Sequence, residues 1–169
     1  RSFMATNPTQ TGIDDDVPPP LQSNGPWPAI MRPGDTFVDD DSRAWVPMEG
    51  YSGSAIKVLY ADRASNTAAF LYQLGPNQNF PMHEHRCRAF AYTLDGDWNY
   101  GDVHLKPGGL AVEQVGSTHF PETGDTGFTV FAVLIGEPGQ DVLLRSQDPA
   151  TNEVSELGIE YFIELMGAS

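Results

Sequence analysis

A chain of 169 residues is long enough for one domain with a buried core, and its 9 basic against 23 acidic residues leave a net charge of −14. A field of that sign repels phosphate backbones and anionic lipid, which excludes nucleic acid and membrane surfaces as partners. The single cysteine, Cys87, excludes an intrachain disulfide and fits a reducing compartment.

The opening Arg1-Ser2-Phe3-Met4 lacks the apolar core of a signal peptide, and the most apolar run, 128–135, is too short to span a bilayer. The expectation is a soluble, cytoplasmic protein with Met4 as its native start. Residues 1–28 are rich in Pro, Asn, Asp and Thr and carry Asp14-Asp15-Asp16 close to Pro18-Pro19-Pro20. So little there can be buried that the segment reads as an arm, mobile or strapped across a partner subunit, ahead of a single domain over 29–169. Neither the acid triplet at 14–16 nor that at 39–41 has the ligand spacing and glycine of a calcium loop, so both read as solvated.

From Ala44 the pattern changes to short strands separated by turn residues. They are predicted over 44–48, 55–60, 67–74, 80–85, 88–94, 98–104, 110–115, 118–121, 127–135 and 141–145. The punctuation is Gly75-Pro76, Asp95-Gly96-Asp97, Pro107-Gly108-Gly109 and Gly136-Glu137-Pro138-Gly139, and 148–152 reads as a hairpin or loop tip. A short terminal helix is predicted over 158–166, with Phe162, Leu165 and Met166 on one side. Regular short strands with turn signals imply an all-β sandwich or barrel. An exposed sheet edge needs covering, and the Pro-rich arm can reach a neighbour, so a homodimer or homotetramer is expected.

The chemistry concentrates in His83-Glu84-His85. On a strand, side chains two apart face the same way about 6.6 Å along the chain, so two imidazoles can converge on one metal ion with bonds of about 2.1 Å. A third imidazole, His119, follows Gly116-Ser117-Thr118, where Gly116 permits a tight turn. Three imidazoles alone do not choose among zinc, copper, iron and nickel. Strand parity turns Ala111 and Glu113 toward the same interior, which puts one carboxylate near the three histidines. Glu113 reads either as a structural acid in a polar interior or as a partner of a histidine or bound water, able to take a proton.

The remaining candidates read as structure. Glu84, between two inward histidines, points outward, and His104, beside Lys106-Pro107-Gly108, lies at the surface. Phe70, Tyr72, Trp98 and Tyr100 are core aromatics with an option on lining a pocket. Cys87 is a small buried filler. Arg86 and Arg88 are surface or interface residues, or a clamp for an anionic substrate.

Residues 75–123 resemble the paired motifs of the cupin superfamily, which are small jelly-roll β-barrels holding a metal inside. Asn77 stands where the first motif has a glycine, six residues before His83, and asparagine is the residue best able to replace glycine in a left-handed turn. Gly96 matches the motif's later glycine, and the second motif reads Gly108-Gly109 through Gly116 to His119, with Gln114 in place of a proline. Ala89 stands where cupins usually carry a glutamate ligand. Within the superfamily, three histidines with a glutamate six residues before the last are similar to acetylacetone-cleaving and 2,4′-dihydroxyacetophenone dioxygenases. The resemblance implies a non-haem Fe(II) centre held by His83, His85 and His119, with zinc or nickel able to occupy it on purification. It also implies dioxygen and a small β-diketone or α-hydroxyketone as substrates, a carbon–carbon bond cleaved, and Glu113 in the catalytic machinery. Other cupin chemistries stay open: metal-dependent isomerisation, decarboxylation or hydrolysis, or a metal-holding sensor without catalysis.

Overall fold

The computed structural model describes residues 33–148 and 151–168. The chain divides into two units, Arg1–Thr36 and Phe37–Ser169, and the architecture below is that of the second. The expected arm over 1–28 lies outside the described residues. A 3-10 turn at Asp40–Ser42 precedes eleven strands: β1 (Val46–Pro47), β2 (Ala55–Asp62), β3 (Thr67–Leu74), β4 (His83–His85), β5 (Arg88–Tyr100), β6 (Val103–Leu105), β7 (Leu110–Glu113), β8 (Thr118–His119), β9 (Pro121–Ile135), β10 (Leu144–Gln147) and β11 (Val154–Leu157). One helix follows, α1 (Ile159–Gly167). No helix among the described residues is long and apolar enough to cross a membrane.

The strands form two antiparallel sheets. The larger runs β1-β2-β3-β9-β5-β6, with β7 also paired to β5, and the smaller runs β11-β10-β4-β8. Their inner faces enclose the core, in the all-β arrangement expected from the strand pattern and the jelly roll that the cupin resemblance implies. β5 and β9 are the long members, 13 and 15 residues, and they pair over almost their whole length.

Both long strands run through positions that read as turns in sequence. Asp95-Gly96-Asp97 does not end a strand. The β5–β9 register shifts there, between Thr93 and Asp95 and again between Gly96 and Trp98. Such bulges bend a strand without terminating it. Gly96 has φ +69°, and a Cβ there would collide with the Gly127 carbonyl, so the bend requires glycine at this crossing. The true turn falls later, at Gly101-Asp102, and divides the predicted strand over 98–104 between the end of β5 and the start of β6. β9 likewise begins at Pro121, ahead of the predicted 127. The loop tip at 148–152 does join a hairpin, whose second strand β11 pairs Val154 with Gln147.

Two apolar clusters fill the interior. Phe70, Leu134, Leu143 and Phe162 pack under α1, where the Phe70 and Phe162 rings stack at 5.2 Å. Ile159 and Phe162 are buried, with Leu165 and Met166 packed against the same cluster, so the helix lies on its predicted face. Leu74, Trp98, Phe128 and Val130 form the second cluster. Members of both line a cavity of about 120 Å³ that also reaches His83, His85, Glu113 and His119.

Candidate metal centre

β4 carries His83 and His85 on one face, and β8 brings His119 directly opposite His83 in the antiparallel ladder. The turn between β7 and β8 is clamped onto β4 by the Gly116 amide on the His85 carbonyl and the His85 amide on the Ser117 carbonyl. Gly116 has φ +87°, the left-handed geometry its sequence position called for. Asn77, at the cupin glycine position, adopts φ +53°. Both substitutable turn positions therefore hold, and the three imidazoles converge. Their nearest ligand atoms all lie within 4.8 Å of one another.

His83 and His119 have contacts that orient their rings, while the buried Nδ1 atoms of His85 and His119 have no hydrogen-bond partner. His83 Nδ1 lies 3.2 Å from the Pro81 carbonyl, to which it donates, leaving the Nε2 lone pair free for a metal. Burial and the two neighbouring imidazoles lower its pKa to about 3, so it stays a neutral donor across the physiological range. Tyr100 stacks on the His119 ring at 4.0 Å and 11°. Its pocket-lining option thus becomes a ring-positioning contact.

Glu113 comes from the other sheet. It is buried, and its Oε1 lies 2.8 Å from His119 Nε2 and 3.1 Å from His85 Nε2, which are themselves 3.1 Å apart. None of these approaches satisfies Oε1 as a hydrogen-bond acceptor, so a buried carboxylate oxygen is left without a partner. Around an octahedral ion with bonds of ~2.1 Å, adjacent donors stand about 3.0 Å apart. The three atoms have that spacing. The residues present therefore fit a divalent metal: a carboxylate oxygen and two imidazole nitrogens stand at the spacing of adjacent ligands, and the oxygen has no hydrogen-bond partner. Burial pushes the Glu113 carboxyl up, but the adjoining His119 and His85 imidazoles outweigh it and hold the group at about 2. The acid is ionised.

The origin of this carboxylate is the part that sequence reasoning missed. Glu113 on β7 is the direct antiparallel partner of Ala89 on β5. Directly opposite residues share a face with Cβ atoms about 4.5–5.5 Å apart. The position where cupins usually carry a glutamate holds a methyl group, and the acid enters from the neighbouring strand into the space that methyl leaves.

The other candidates fall where they were expected. Glu84 points away from the site and pairs with Arg86 at 2.8 Å and Arg145 at 3.5 Å. His104 is exposed, bonded to Asn99 Oδ1 at 2.9 Å. Cys87 is buried, and burial pushes its thiol up to about 11, so it is an unreactive filler. Arg86 and Arg88 are exposed and do not line the cavity, which removes the anion-clamp option.

Two antiparallel sheets closed around an inward histidine cluster define a cupin. Residues 33–135 match the ChrR cupin-like domain, and the chain belongs to that family. Solved structures of the same fold include an RmlC-like cupin protein from Ralstonia eutropha JMP134, with 20% identity, TM-score 0.66, and 78% of this chain and 83% of that one covered. A putative acetylacetone dioxygenase from Methylibium petroleiphilum PM1 is similar at 15% identity and TM-score 0.65, over 83% of this chain and 99% of that one. An acetylacetone dioxygenase from Acinetobacter johnsonii is similar at 12% identity and TM-score 0.61, over 85% and 97%. At these identities the likeness is one of fold. No curated protein matches the chain.

Proposed function

We propose that this protein is a mononuclear non-haem Fe(II) dioxygenase that cleaves a carbon–carbon bond in a small β-diketone or α-hydroxyketone. His83, His85 and His119 would hold the ion, with Glu113 beside it as fourth donor or as acceptor for a bound water. The observation that carries the reading is the Glu113 oxygen, buried without a hydrogen bond and 2.8–3.1 Å from two imidazole nitrogens at one end of an apolar cavity. Two of the similar folds bear the name acetylacetone dioxygenase, which fits that arrangement.

The ion, when bound, supplies Lewis acidity toward the ketone oxygens and electron transfer to dioxygen. The chain supplies the rest. Buried beside the imidazoles, Glu113 would accept a hydrogen bond from a bound water or substrate hydroxyl, or take the proton that makes the enolate. Trp98, Phe128 and Phe80 line the cavity and keep bulk water from the reacting carbon. Both atoms of dioxygen leave in the products. A β-diketone gives a carboxylic acid and an α-ketoaldehyde, and an α-hydroxyketone gives two acids.

Anaerobic reconstitution with ferrous iron, followed by oxygen uptake in the presence of acetylacetone and an α-hydroxyketone, tests the proposal. One dioxygen consumed per ketone cleaved is expected. Full metal loading with no oxygen uptake on any such ketone would instead favour a non-oxidative cupin. We also propose that the protein is a cytoplasmic homodimer or homotetramer. The outward row Phe90, Tyr92, Leu110 and Val112 supports self-association, since three of the four are among the exposed large apolar residues and none is charged.

A further inference from the structure

Both sheets run from the candidate ligands toward α1. On the larger sheet β7, with Glu113, pairs with β5, and β9 and β3 follow; on the smaller, β8 and β4, with the histidines, are followed by β10 and β11. β11 joins α1 through Gly158, and Phe70 on β3 stacks on Phe162 of the helix. Directly paired residues share a face, so the register traces one inward row across each sheet. From β5 that row is Ala91, Ala132 and Phe70. From β4 it is His85, Leu144 and Leu157. All six residues line the cavity.

The row on the larger sheet is the open one. Ala91, Ala132 and Phe70 keep 9%, 8% and 8% of their surface accessible, whereas Ala89, Leu134 and Ala68 in the next row keep 2%, 2% and 0%. The two alanines therefore floor a trough, and Phe70 is the first large side chain along it. Strands stand about 4.8 Å apart, so Phe70 rises from the sheet about 10 Å beyond Ala91, with Phe162 backing its ring. Beyond His85 neither row has a polar side chain, and among the described residues lining the cavity none is a lysine or arginine. A charged tail lying there would be buried without a partner, whereas an alkyl tail is stabilised by leaving water. The volume, about 120 Å³, is below the ~150 Å³ of a cavity that holds benzene, so little is left beyond a dione head.

We propose that Phe70 is the residue that sets the size of the substrate: its ring ends the alanine-floored trough, which takes the uncharged, methyl- or ethyl-sized acyl end of a ketone whose oxygens lie at the histidines. This rests on the metal–ketone reading above. It adds the direction in which the substrate extends, the apolar character of that end and the side chain that limits it.

The test is calorimetric titration of the zinc-loaded full chain, since zinc has no redox chemistry and the ligands are not turned over. Acetylacetone and heptane-2,4-dione differ by two methylenes at one end, and succinylacetone has the seven-carbon chain with a terminal carboxylate. Wild type is expected to bind acetylacetone about tenfold more tightly than heptane-2,4-dione, because the longer tail overpacks against Phe70. Phe70→Leu removes three carbon atoms from the end wall and should reverse that order, to about tenfold in favour of heptane-2,4-dione, since each buried methylene is worth about fourfold. Succinylacetone should gain nothing in the variant. Because loss of a core ring can weaken the fold, Phe70→Met, which keeps more volume on a flexible chain, is measured beside it with the same reversal expected. Heptane-2,4-dione bound by wild type as tightly as acetylacetone would overturn the assignment while leaving the metal–ketone reading standing, because the tail would then leave through the cavity mouth. An order unchanged in both variants would overturn it too, as would a gain by succinylacetone equal to that of heptane-2,4-dione. If the chain held no metal, or held metal and bound none of the diones in any form, the metal–ketone reading itself would fall and take this assignment with it.

Discussion

The two faces of the β9-β5-β7 ladder carry opposite kinds of residue. Inward, Ala89 and Ala91 on β5 stand beside Leu134 and Ala132 on β9 and beside Glu113 and Ala111 on β7. Outward, Phe90 and Tyr92 stand beside Val133 and Phe131 on one side and Val112 and Leu110 on the other. A sheet built only to fold would put its bulk inside. Alanine is a poor strand former with little to pack, yet four of these six inward positions hold it. Three of the four, Ala89, Ala91 and Ala132, line the cavity. The small side chains leave the interior volume unfilled, as the proposed site requires, and the chain keeps large apolar groups on the outer surface of the same strands.

The comparison breaks most sharply at the histidines. His119→Ala removes one of three imidazoles from a site with no spare histidine, and we expect it to lose most of its metal after dialysis against a chelator. Thr118→Ala, its exposed neighbour, should keep full stoichiometry. Metal analysis of the two variants side by side checks both, and stoichiometric metal in His119→Ala would remove that residue from the centre.

Next in size is the carboxylate. Glu113→Gln keeps the shape and loses the charge, and we expect a loss of about 10–100-fold in metal affinity or in oxygen-uptake rate, with folding intact by melting temperature. Because Ala89 and Glu113 are direct partners, the pair allows a sharper test. The double change Ala89→Glu with Glu113→Ala moves the acid across the ladder to the usual cupin position and should recover metal retention that Glu113→Ala alone loses. Failure of that rescue would mean that the two positions do not address the same point.

How much of this could be read from the sequence follows the same division between local and long-range information. The strand spacing of His83 and His85, the turn at Gly116 and the left-handed Asn77 are local, and each holds in the structure. The inward parity of Glu113 is also local, and its burial agrees. Its opposition to Ala89 was not legible. Carried back from the hairpin pair Trp98 and Leu105, the register would set Ala89 against Gln114. The Lys106–Gly109 turn, held to Thr93 by two backbone bonds, slips the ladder by one residue and brings in Glu113 instead. The lengths of β5 and β9 were hidden for a related reason, since glycines that normally end strands here sit in bulges. Phe70 reads as a core aromatic in sequence, and whether its ring faces open volume depends on every element packed around it.

The inner face can also be filled without touching a candidate ligand. Ala91→Leu places about three extra carbon atoms into the cavity, where overpacking costs roughly 1–3 kcal/mol if the walls cannot relax. We expect metal to be retained and acetylacetone binding to be lost, as read by metal analysis and calorimetry on the same preparation. Unchanged ketone binding would place the ligand elsewhere, and the small-sided interior would then need a different reason.

The smallest effect on stability is expected on the outer face, where it carries information of another kind. Val112 is half exposed, between the inward Ala111 and Glu113. A surface substitution such as Val112→Lys should change stability by no more than about 0.5 kcal/mol and leave metal content untouched. Two copies of a chain carrying −14 repel each other except where acids are absent. The outward residues Phe90, Tyr92, Leu110, Val112, Phe131 and Val133 include no acid, so the proposed self-association through them would bring no carboxylates together. A lysine introduced on both copies at such a contact would be desolvated without a partner, so light scattering should show Val112→Lys shifted toward monomer at micromolar concentration. If the variant keeps the wild-type mass, the outer row is plain surface, and the contrast between the two faces reduces to the cavity alone.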